Sequence, residues 1–208
     1  METAAARSDD PYLPVAICHY RGNYFLHHGA YEIGLRAIEQ VRRGDMRALS
    51  AMGTMHLKAA VLHSRQRTET CTQDALTHIE EARELAGHTA GQPDAHGLVF
   101  DRANVEIHAT SVRIDVGDVG GAVEHGAALR FPPGWALNRA GHHHMDMARG
   151  YERIGRREEA LAALLRARNA APCQTRYHPT TRETITALLR ATRSRSRELT
   201  RYARWVGV

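Results

Sequence analysis

The stretch that decides the fold is Gly141–Pro172, GHHHMDMARGYERIGRREEALAALLRARNAAP. Numbered from its first glycine as a helix–turn–helix repeat of about 34 residues, it carries Ala148 at position 8, Tyr151 at 11 and Gly155 at 15. Ala160 follows at 20, Leu164 at 24, Ala167 at 27 and Pro172 at 32. Small side chains at positions 8 and 20 let two helices approach closely, ridge into groove. Gly155 supplies a turn conformation that a Cβ disfavours. Ala160, Leu161, Leu164 and Leu165 recur at helical spacing, and Pro172 stops the second helix.

Working backward, Gly117 and Ala122 repeat Gly155 and Ala160 at an offset of 38. Val105, Ala109, Val112 and Val116 form the apolar stripe of that unit's first helix. Its second helix is short, with Gly126 where a large residue is expected. Earlier still, MGTMHLKAAVLHSRQ and CTQDALTHIEEARELA read as another pair, with a turn lengthened around Arg67–Thr70. A first pair begins near Val15 and places Gly22, Phe25, Gly29 and Gly34 at positions 8, 11, 15 and 20. After Pro172 come two capping helices. One lies near Thr181–Thr192, with Ile185, Leu188 and Leu189 on one side. Ser196 is the N-cap of the other, where Leu199, Tyr202, Ala203 and Val206 share a face. Nothing reads as a strand. The spacing predicts an all-α, tetratricopeptide-like superhelix of four helix pairs plus C-terminal capping helices. Residues 12–208 are expected to form a single solenoid domain behind a flexible tail over residues 1–11.

Composition agrees with one globular domain. The chain has 208 residues, 43% hydrophobic and 25% charged, enough to bury roughly 70% of its unfolded surface without a disulfide or metal staple. Cys18, Cys71 and Cys173 are odd in number and widely spaced, which excludes a disulfide scaffold or zinc ribbon and suits a reducing cytoplasm. No apolar run approaches the length of a membrane span, and the first residues lack a signal-peptide core. A cytoplasmic location is expected. Lys58 is the one lysine, leaving 27 arginines, and the excess charge is local: from Arg176 onward eight arginines face two glutamates, while the body is near neutral. Overall charge therefore does not argue for a nucleic-acid partner.

No catalytic pattern stands out. His142, His143, His144 and Asp146 invite a metal reading, but adjacent helical residues diverge by about 100°. At most His142 and Asp146 share an ion, and two ligands do not make a zinc site. GDVGG at Gly117–Gly121 lacks the lysine and hydroxyl of a phosphate loop and reads as a repeat turn. No GxSxG is present, and fourteen histidines among many carboxylates yield Ser/His/Asp combinations by chance. No enzyme activity, cofactor or metal is expected. The tail arginines Arg190, Arg193, Arg195, Arg197, Arg201 and Arg204 read as a solvated cap face, with phosphate contact as the alternative.

The repeat register itself nominates a site. Positions 2, 5, 6, 9, 12 and 13 of first helices tend to point into the concave groove of such a fold. They include Asn104, Ile107, His108 and Ser111 in one unit, His142, Asp146 and Arg149 in the next, and Lys58 in the one before. Asn and Arg suit a peptide backbone or a terminal carboxylate. The alternative is that these groups make inter-repeat hydrogen bonds.

Four strings point to a family: FDRANVEIH, the His143–Pro172 stretch, RYHP at Arg176–Pro179, and ELTRYARWVGV. Together they resemble the C-terminal tetratricopeptide sensor region of actinomycete helix-turn-helix transcriptional regulators of the Cro/repressor-like (XRE) type. Phe100, Asn104, Val105, Ile107 and His108 match one first-helix pattern of that family. His143, Asp146, Ala148, Arg149 and Tyr151 match the next, and Tyr177, His178 and Pro179 match the junction to the cap. Asp101 and Arg102 stand where Gly-Pro is more usual. The resemblance implies a regulatory binding module for a peptide, small molecule or partner protein, with a homodimer as a further option. DNA contact would come through a separate helix-turn-helix domain, which is not recognised before Tyr12. A general protein–protein scaffold without a transcriptional role is the alternative.

Overall fold

A computed structural model describes residues 17, 46–89, 97–191 and 196–208. The first expected helix pair, the N-terminal tail, Arg193 and Arg195 lie outside the described residues. Among the described residues the structure is helical throughout, with no strand and no helix long and apolar enough to cross a membrane. The chain divides into two compact units, before and after Gly117.

In the first unit, α1 (Met46–Ser64), α2 (Glu69–His88) and α3 (Arg102–Val116) pack together. Helix α1 is apolar on most sides, and Ala51, Met55, Leu57, Ala60 and Leu62 are buried. Against it α2 lays a narrow stripe of Ala75, Ile79, Ala82 and Ala86. The small side chains allow close approach, and Val105, Ala109 and Val112 of α3 complete the core. The Thr68 hydroxyl accepts from the Cys71 amide at 3.2 Å and starts α2 at Glu69. The expected long turn is thus shorter, because a capped threonine belongs to the helix start. Gly53 is required by packing: a Cβ there would lie 1.9 Å from the Phe100 ring. A guanidinium fork from Arg83 ties α2 to α3, reaching the Glu106 carboxylate at 2.8 and 3.0 Å.

The second unit contains α4 (Val119–Ala128), α5 (Leu137–Arg153), α6 (Arg157–Ala170), α7 (Pro172–Tyr177), α8 (Pro179–Ala191) and α9 (Arg197–Val206). Gly117 adopts φ +100° and Asp118 caps α4, its carboxylate accepting from the Gly121 amide at 3.1 Å. GDVGG is therefore a turn and a helix start. Helices α5 and α6 form the pair read from Gly141–Pro172. Gly155 turns the chain at φ +78°, while Ala148, Ala160, Leu164 and Ala167 are fully buried and Tyr151 nearly so. A Cβ on Gly141 would meet Ala171 at 2.7 Å, so this glycine marks a close approach. Ile185 and Leu188 of α8 and Leu199, Tyr202, Ala203 and Val206 of α9 join the same core. Ser196 caps α9, and the buried Tyr202 hydroxyl donates to the Leu164 carbonyl at 2.9 Å.

Two further features depart from the sequence reading. Pro172 ends α6 and also opens α7, a six-residue helix that was not anticipated. The division at Gly117 falls inside the third expected pair, so α3 belongs to the first unit and α4 to the second.

Candidate functional site

The eight residues nominated by register divide five and three between the units. In the second unit, His142, Asp146 and Arg149 stand one turn apart on α5 and form one stripe. Asp146 is only 4% exposed. Its carboxylate accepts from the Arg149 guanidinium at 3.2 Å and lies 3.7 Å from His142 Nε2. A buried carboxylate is stable beside a cation that shares its burial cost. The His142 ring meets His178 edge-on, with ring centroids 5.0 Å apart. His178 caps the end of α7, and its Nδ1 accepts from the Thr180 amide at 3.2 Å, which leaves the proton on Nε2. A chain of contacts thus runs from Arg149 through Asp146 and His142 on α5 to His178 at the α7–α8 junction.

The histidine triplet diverges as helical geometry requires. His143 turns inward, 3% exposed, and its Nε2 donates to the Gly126 carbonyl at 3.2 Å. Gly126 is itself a buried residue of α4. Burial pushes the His143 pKa down to about 4, against a partial opposing pull from Asp146. His144 is also lowered to about 4, by burial and then by His143 and Arg166. Phe131 packs edge-on to both rings and stacks on Trp135 at 4.9 Å. Among the described residues no three potential metal ligands gather at one point.

In the first unit the nominated residues face inward more than the register suggested. Lys58, Asn104, Ile107 and Ser111 are buried, and His108 is half-buried. The Asn104 amide donates to the Val99 carbonyl at 2.8 Å, and its backbone N–H donates to Asp101 at 2.8 Å. Val99 sits at φ +53°, a rare place for a β-branched residue. Asn104 is thus committed to holding this left-handed turn, which the repeat register does not encode. His108 donates from Nδ1 to the Asn104 carbonyl at 2.8 Å, leaving Nε2 as its acceptor.

Comparison of the chain with protein-family models, curated proteins and solved structures finds no match.

Sequence reasoning missed two groups. His178 sits outside the repeat and reaches the stripe only through the α7 turn; its one signal was the RYHP string. The second is a histidine cluster on α1 and α2. His56 Nδ1 and His78 Nδ1 are 2.9 Å apart, His63 stacks on His78 at 5.4 Å, and Asp74 lies 3.8 Å from His63. One Nδ1 donates and the other accepts, so the pair shares a single proton. Burial, and then His56 and His63, lower the His78 pKa to about 4. That contact depends on how α1 and α2 are set against each other, which spacing along one helix cannot show.

Proposed function

We propose that the protein is a non-enzymatic binding module of the tetratricopeptide-like class, serving as the regulatory part of a bacterial transcription regulator. The observation that carries the reading is the Asp146 carboxylate, held between Arg149 and His142 on the first helix of the α5–α6 pair. That pair buries its small residues Ala148, Ala160 and Ala167 at the repeat spacing. In a superhelix of such pairs, first helices line the concave side, so the stripe would meet an extended peptide or a small polar ligand. Pairing in advance limits the side-chain ordering cost on binding. The regulatory assignment draws support from the four strings that resemble the actinomycete sensor regions.

The test is selection from a displayed random-peptide library against the full chain, followed by calorimetry on one enriched peptide. Arg149→Ala is expected to weaken binding at least about tenfold, a loss of about 1.4 kcal/mol. Asp146→Asn should do the same. Failure of any peptide to enrich, or full binding by Arg149→Ala, would refute the reading.

A further inference from the structure

Helix α9 separates its residues by chemistry. Leu199, Tyr202, Ala203 and Val206 are buried, while Arg197, Arg201 and Arg204 are exposed at i, i+4 and i+7. Among the described residues, none of the ion pairs involves these three arginines. The stripe runs about 10 Å along the helix. From α8, the exposed Arg182 donates to the Gly207 carbonyl at 3.2 Å, which brings a fourth guanidinium to the C-terminal end of α9. Arg176 and the 70% exposed Tyr177 stand just before α8, the guanidinium 5.6 Å from the ring. Glu183 and Glu198 are the opposing charges from Arg176 onward.

We propose that this arginine stripe docks on the phosphate backbone of duplex nucleic acid without selecting bases. The inference stands on the second unit alone and does not depend on the ligand reading above. Guanidinium forks match phosphate geometry and are held here on a rigid helix whose apolar face is already committed to the core. A membrane is the poorer partner, because the apolar face of α9 is committed to the core and only the partly buried Trp205 is left at its edge, too little for insertion between headgroups. Base selection is not expected: the stripe offers charge at one helix face, and phosphate contacts position without specifying.

The full chain is titrated into a fluorescein-labelled duplex of about 20 base pairs and followed by anisotropy. Three phosphate contacts predict that affinity falls about 40-fold between 50 and 200 mM salt, with duplexes of unrelated sequence behaving alike. Arg197→Ala/Arg201→Ala/Arg204→Ala should abolish most of the binding and flatten its salt dependence while helical circular dichroism is unchanged. Arg157→Ala, exposed on α6, should bind as the parent does. The proposal is overturned by any of four results: no binding up to about 100 µM protein at 50 mM salt; undiminished binding by the triple variant; a strong sequence preference; or stronger competition by polyglutamate or phosphatidylserine vesicles than by unlabelled duplex at equal charge.

Discussion

Acid should destabilise the second unit through His143, and the amount can be worked out. The imidazole is 3% exposed, donates to the Gly126 carbonyl, and has its pKa pushed down to about 4 by burial. In the unfolded chain the same group titrates near 6.5. Above that pH both states hold it neutral and it adds no pH dependence. Between pH 6.5 and 4 the unfolded chain binds a proton that the folded chain refuses, so stability falls as pH falls. Below about 4 both states are protonated and the loss is constant. At pH 5 the difference spans about 1.5 pH units, or about 2 kcal/mol. His78 and His144 are lowered in the same direction, so the parent protein alone would show a larger total. The contribution of His143 is isolated by His143→Gln, whose amide keeps a donor toward Gly126 but does not titrate. Both tryptophans, Trp135 and Trp205, belong to the second unit, so urea unfolding by fluorescence reads that unit directly. Between pH 7.5 and 5.0 the parent should lose about 2 kcal/mol more than His143→Gln. Equal losses would show that the ring is protonated in place and the reasoning is wrong.

Three further outcomes follow from packing. Ala160 is fully buried between α5 and α6, so Ala160→Leu should lower stability by about 1–3 kcal/mol in urea unfolding. Val99 occupies the left-handed region at φ +53°; Val99→Gly removes that strain and should raise the melting temperature of the first unit by a few degrees, equivalent to about 1 kcal/mol. Tyr202→Phe deletes the hydroxyl that reaches the Leu164 carbonyl and should cost about 0.5–1.5 kcal/mol in the second unit by the fluorescence assay.

The α5–α6 pair was legible because its information is local. Ala148, Tyr151, Gly155, Ala160 and Leu164 fix two helix faces and the turn between them within one stretch of chain. Ser196 and the α9 face were legible for the same reason. Pro172 misled because proline both prevents a helix from continuing and suits the first turn of the next, and only the second role creates α7. The division at Gly117 was not legible, since α3 and α4 are adjacent in sequence and each finds its packing partners elsewhere. For the site, the spacing of His142, Asp146 and Arg149 put three groups on one stripe. His178 reaches that stripe from another element. Asn104 carries a groove-facing register number, but a nearby left-handed carbonyl at Val99 claims its amide. Side-chain demand within a turn outranks repeat position there.

The most direct measurement is where a selected peptide lands. Amide and imidazole chemical shifts of the labelled full chain, followed during titration with that peptide, are predicted to move first at His142, Asp146, Arg149 and His178. The Trp205 and Arg201 signals of α9 should stay in place. Shifts confined to the outer side of α6 or to α9, with the α5 stripe unmoved, would contradict the assignment of the binding face.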